Sequence, residues 1–282
     1  GMNNDSGWTS NAGTVTSVGA GTGLSTTGGT TPSLSVNAAQ SGITSLGTLS
    51  ALNVTGDLTL EALYPTGTGN LFLGTASGGS VVDSTSQYNT GVGNGALGAV
   101  TTATFNTAVG AAALQSLTTG TNNVAFGLNS SKSVVNASSN SSFGVSALYS
   151  LVSGGSNTAL GTYAGYNLLS GNSNVLVGVL AGYDLTSGYS NIAIGHNAAR
   201  NAETLTNSVV IGQDAGYYLT DQNRIIAIGH DAMKGSAVTG AFTGGEACIA
   251  IGDNALESMS TAVSCTAIGD QAGLNITTGS HN

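Results

Sequence analysis

From about residue 70 onward the polar and apolar positions of this chain recur on a fixed beat. NTALGTYAGYNLLSGNS (157–173) runs into NVLVGVLAGYDLTSGYS (174–190) and then into NIAIGHNAARNAETLTN (191–207). Each phrase opens with asparagine or a substitute and reaches an apolar residue followed by an anchor glycine: Gly74, Gly93, Gly110, Gly127, Gly144, Gly161, Gly178, Gly195, Gly212, Gly229, Gly252 and Gly269. Their spacings are 19, then 17 eight times running, then 23, then 17. A fixed short period means a stacked array whose units close their core only against neighbours.

Seventeen residues are too few for a helix pair with its turns, and the phrases are rich in Gly, Val, Ile and Thr rather than in helix formers. The pattern predicts an all-β chain: a parallel β-solenoid, or β-roll, of about twelve 17-residue coils over 70–282. Each coil is expected to hold two short strands and two bends. At about 4.8 Å per coil the rod would be roughly 58 Å long.

The columns refine this. Position −1 relative to the anchor is apolar in every coil, from Leu73 and Val92 to Ile251 and Ile268, and reads as a core ladder. Position −2 lies on the opposite side of a strand and is mostly alanine (Ala108, Ala125, Ala159, Ala193, Ala227, Ala250, Ala267). It reads as an outer face on which another backbone packs closely. Position +3 forms a second alanine column from Ala96 to Ala272, broken by Ser130. Asparagine occupies position −4 in eight coils, Asn70 to Asn191, where stacked amides can bond one another along the rod.

Residues 1–69 lack the period. A Gly/Ser/Thr-rich stretch precedes ITSLGTLSALNVTGDLTL, in which apolar residues fall at 43, 46, 49 and 52 and then at 54, 58 and 60. A three-residue beat shifting toward alternation fits neither one helix nor one flat sheet. It suits a thin β-fibre shaft in which three chains share a core, and with the alanine columns it leads to the expectation of a homotrimer.

Composition narrows the function. Only 6% of residues are charged and the net charge is −9, with four basic side chains, Lys132, Arg200, Arg224 and Lys234. That is no footprint for a phosphate backbone, so nucleic acid is not expected as a partner. No run of about 18 apolar residues offers a membrane span, so no membrane insertion is expected.

The phrases NTAVG, NIAIG and CTAIG resemble the head repeats of YadA-like trimeric adhesins, and N-T-A-L-G-x-x-A-G-Y is similar to arrays in bacteriophage tail-fibre proteins. The resemblance covers about 70–282 and implies a parallel β-roll, trimeric in the relatives. The segment before the array resembles those that precede repeat arrays in phage and virus-like fibres, many of which end in a self-cleaving intramolecular chaperone. The chain stops at Asn282, four residues before the glycine of a thirteenth coil, so the array is expected to be truncated there. The function expected is a structural and adhesive fibre segment of a phage or virus-like particle, located on the virion and facing a host-cell glycan or protein receptor. The alternative is the head of a bacterial surface adhesin, located outside the cell.

The candidate contact residues share position +5: Tyr149, Tyr166, Tyr183, Arg200 and Tyr217, with Lys234 following. As a stripe of aromatic rings interleaved with one cation they can hold sugar rings, although tyrosines also cover apolar surface while keeping their hydroxyls wet. His196 and His230 each follow an anchor glycine near Asp214, Asp231, Asp253 and Asp270. A metal needs three or more converging ligands, and a solvated corner is preferred, so no metal and no cofactor are expected. Cys248 and Cys265 share a column one coil apart, within Cα range of a disulfide, but parallel side chains lie alongside each other and a reduced pair is preferred. No Ser/His/Asp set or carboxylate pair stands out, so an enzyme, including a glycan-degrading one, is not expected. An ice-binding solenoid needs a flat threonine ladder, and position −3 holds threonine only at Thr90, Thr107, Thr158 and Thr266.

Overall fold

The computed structural model describes residues 24–27, 33–36, 69–79, 85–235, 247–261, 263–279 and 281. The chain forms two compact units, Gly1–Leu60 and Glu61–Asn282. In the first, strands β1 (Leu24–Thr27) and β2 (Ser33–Val36) pair antiparallel, with Leu24 opposite Val36. The rest of the expected shaft lies outside the described residues.

The second unit is a β-solenoid with no helix among its described residues. Twelve three-residue strands, β3 (Leu71–Leu73) through β14 (Thr266–Ile268), form one parallel sheet in strict chain order. Register follows the columns: Ile192, Ala193 and Ile194 of β10 lie opposite Val209, Val210 and Ile211 of β11 (Val209–Ile211). The second strand expected in each coil is reduced to isolated bridges such as Gln87 to Thr104 and Tyr189 to Thr206, because the rest of the coil is spent on turns.

The anchor glycine makes each strand so short. All twelve have φ between +128° and +141°, a backbone region nearly closed to other residues. The coils also touch there: a Cβ on Gly93 would lie 2.6 Å from the carbonyl oxygen of Gly110. The chain then winds through a turn with positions +2 and +4 in the left-handed region, Asn197 (φ 57°) and Ala199 (φ 51°) for example. Turn amides are satisfied by the neighbouring coil, as Leu148 N–H donates to Ala164 O and Asp184 N–H to Arg200 O.

The core reverses one expectation. The alanines of position −2 point inward and are buried, whereas position −1 faces out: Leu160 is 51% exposed and Leu73 45%. The period-two alternation holds but its phase is the opposite one, because the interior of a 17-residue coil is narrow. Alanine at −2 meets alanine at +3 across it, and the remaining space is filled by leucines at +4 and +7, among them Leu97, Leu114, Leu148, Leu117, Leu151, Leu168, Leu185 and Leu219. Departures compensate. Leu176 at −2 lies where Gly165 and Gly182 leave room at +4, since a Cβ on either glycine would run into its side chain. Where serine replaces alanine and leucine, Ser142 Oγ bonds Ser130 Oγ at 2.7 Å and Ser131 Oγ at 2.8 Å, so the buried hydroxyls satisfy one another.

The asparagine column is a buried amide ladder. Asn157 Nδ2 donates to Asn140 Oδ1 (2.9 Å) and to Gly171 O (2.8 Å), while its own Oδ1 accepts from the backbone N–H (3.1 Å) and Nδ2 (2.9 Å) of Asn174. The pattern runs to Asn191, whose Oδ1 accepts Ser208 N–H. Ser208 Oγ then accepts Ile225 N–H, and Cys248 Sγ accepts Cys265 N–H.

Candidate functional site

Position +5 follows two buried residues, so its side chain leaves the coil at the edge of the core. Because coils are in register, Tyr149, Tyr166, Tyr183, Arg200 and Tyr217 come together as one half-buried stripe. One strand spacing between parallel rings leaves them only one arrangement. Tyr149 and Tyr166 stack at 5.0 Å and 11°, and Tyr166 and Tyr183 at 5.3 Å and 9°. Tyr163 adds its edge to Tyr166 at 5.4 Å. The Arg200 guanidinium lies between the Tyr183 and Tyr217 rings, 5.9 and 5.3 Å from their centroids, and bonds the Tyr217 hydroxyl. Lys132 covers the far face of Tyr149 at 5.8 Å. Burial, followed by the neighbouring tyrosines, pushes the Tyr166 phenol above its ordinary value.

The stacking settles which parts of these rings meet solvent. Their faces look along the rod and are covered by one another, so the stripe presents edges and hydroxyls. A sugar cannot lie flat on a face already occupied by the next ring.

Beside the stripe runs a groove that the sequence columns did not single out. It is about 560 Å³ and open, lined by Asn167, Asp184 and Asn201 at position +6 and by Leu169, Thr186, Glu203 and Thr220 at position +8. Between +6 and +8 in each coil stands the buried +7 column, Leu168, Leu185, Ala202 and Leu219. Asn167 Nδ2 donates to Asp184 Oδ1 at 2.9 Å and Thr186 Oγ1 to Glu203 O at 2.9 Å, which fixes both rails. The signal in the sequence was that polar residues flank an apolar +7 in successive coils, Asp184 and Thr186 around Leu185 and Asn201 and Glu203 around Ala202, with Leu169 as the apolar exception at +8.

Comparison with protein families, with curated proteins and with solved structures found no match for this chain. What the surface can do therefore rests on its own chemistry.

The histidine corner is more organised than a solvated edge requires. Asp214, His230 and Asp231 bring one ligand atom each within 4.8 Å of one another. Two of the three already have partners, since Lys234 Nζ is 2.9 Å from Asp231 and Asp253 is 2.9 Å from His230 Nδ1. His196 is not one of the three but adjoins them through Asn197, whose Nδ2 is 3.0 Å from His196 Nδ1 and 2.8 Å from Asp214 Oδ1. Burial raises the Asp214 carboxyl, but hydrogen bonds from Asn197 and Gln213 and the nearby Lys234 and His196 outweigh it and hold the group below its ordinary value. The Asp231 hydrogen bond raises Lys234, with burial opposing. Asp231 is thus committed to an ammonium. Cys248 and Cys265 are buried thiols in the asparagine column, not joined as a disulfide, and burial pushes the Cys248 thiol up.

Proposed function

We propose that the chain is a structural and adhesive segment of an extracellular fibre, of the kind carried on the tail of a phage or virus-like particle, and that three copies pack along their sheets. The observation that carries this reading is the outer face of the sheet. Position −1 is apolar in all twelve coils, and from β9 (Val175–Val177) to β13 (Ile249–Ile251) position −3 is apolar as well. Parallel sheets are normally covered on both faces, and a single chain leaves this apolar strip wet for eleven strand steps, about 53 Å. A contiguous exposed patch of that kind marks an interface. Copies of the same chain supply a matching strip with the same repeat, and the number three follows the resemblance to YadA-like heads. The Tyr149 to Tyr217 stripe, leaving the coil at a different edge, would then stay on the outside and face a host-cell glycan or protein receptor.

Two measurements test the reading. Light scattering coupled to gel filtration at micromolar concentration should return three times the 27.4 kDa chain mass; the mass of one chain would overturn it. Immunogold labelling of a producing culture should decorate particle tails. Label on bacterial envelopes instead would support the surface-adhesin alternative, and label on neither would overturn both.

A further inference from the structure

We propose that the groove beside the tyrosine stripe binds an uncharged saccharide chain lying parallel to the rod axis. This deepens the fibre reading and rests on it, since it needs the stripe side of the rod to face solvent. The stacked rings offer edges rather than faces, so recognition falls to groups that pair with sugar hydroxyls. The groove repeats such groups over successive coils, Asn167, Asp184 and Asn201 on one rail and Thr186, Glu203 and Thr220 on the other, with Leu169 adding an apolar end to the second rail. Carboxylates accept two hydroxyl hydrogens from a vicinal diol, and an amide donates and accepts at once. The groups recur about every 4.8 Å along the rod, a length comparable to the advance of an extended glycan per sugar.

Charge selects among glycans. The lining holds two carboxylates, Asp184 and Glu203, and no cation. Arg200 is held in the ring stack rather than in the groove. Sialylated or uronic-acid chains would place their carboxylates against Asp184 and Glu203, so a neutral chain is favoured. The volume lies within the range of ordinary ligand sites, but the groove is open, so affinity per site is weak and gains from several copies on one fibre.

The test is a glycan array carrying neutral and acidic saccharides, probed with the full chain and with two variants. Asp184→Ala/Glu203→Ala removes the acceptors, and Thr186→Trp fills the groove while leaving both carboxylates. The expected result is binding to one or more neutral saccharides, with at least a tenfold loss in each variant. Trimer mass and melting temperature should match the parent, which separates failure of the groove from failure of the fibre reading. Absence of binding to any neutral saccharide, undiminished binding by both variants, or binding confined to acidic saccharides would each overturn the proposal. So would a parent that binds only with added calcium chloride, which would make the two carboxylates a cation site.

Discussion

At the residue scale, the coil is held by contacts that each side chain makes twice, once with the coil before and once with the coil after. Leu185 is a member of the +7 column and is buried between Leu168 and the next coil. Leu185→Ala should cost about 2–5 kcal/mol by the cavity it leaves, read as a lower urea midpoint. Asn157 shows the same doubling in polar form. Its side chain takes part in four hydrogen bonds, to Asn140, to Gly171 and two from Asn174, all buried. Alanine there strands donors and acceptors on both neighbours, each worth about 1–3 kcal/mol when left unsatisfied. Asn157→Ala should therefore lower stability by at least about 3 kcal/mol, more than a typical alanine substitution at a polar site. Amide exchange should show the extra opening centred on Asn140 to Asn174.

At the element scale, the strand–glycine unit is where sequence and structure agree most closely and also where they part. The period, the strand and its terminating glycine were all legible, because a positive-φ column and a strand column each demand a narrow set of residues. Gly178 has φ +132°, and a Cβ there would press on the Gly195 carbonyl. Gly178→Ala should cost about 3 kcal/mol or more, combining strain with the clash, and should expose the chain near residue 178 to proteolysis. The phase of the strand was not legible. Positions −1 and −2 are both mostly apolar, and placing the larger residues inside is the ordinary rule, but this interior takes alanine at −2 in most coils and a larger residue, such as Leu176 or Val210, where glycine at +4 leaves room. The better signal lay elsewhere, in the leucines at +7 and in the paired exceptions Leu176 with Gly182 and Ser142 with Ser130. The tyrosine stripe was legible from spacing alone. Its closed ring faces follow from one strand spacing between parallel rings, and the groove required knowing that +6 and +8 stand up as rails.

At the scale of the whole molecule, one face of the sheet builds the coil's core and the other is proposed to join copies, and one substitution separates the two roles. Ile194 stands on the outer face of β10 (Ile192–Ile194), half-buried, with Ala193 buried behind it. Ile194→Asp leaves the coil's own core untouched, so circular dichroism of the chain should stay that of the parent. In the proposed trimer the charge would be trapped between copies, and the scattering mass should fall from three chains to one. Loss of secondary structure instead would mean that the outer face supports the single coil directly. The asparagine column carries a different consequence. Acceptors pass from Asn Oδ1 to Ser208 Oγ, but Ile225 has an aliphatic side chain, and the column resumes only with Cys248 Sγ. The same junction holds the 23-residue spacing between Gly229 and Gly252. Among the described coils this is where the side-chain acceptor column breaks, and a pulled or heated solenoid should fracture there first. The two coils beyond it would come away as a block while the coils up to Gly229 stay wound.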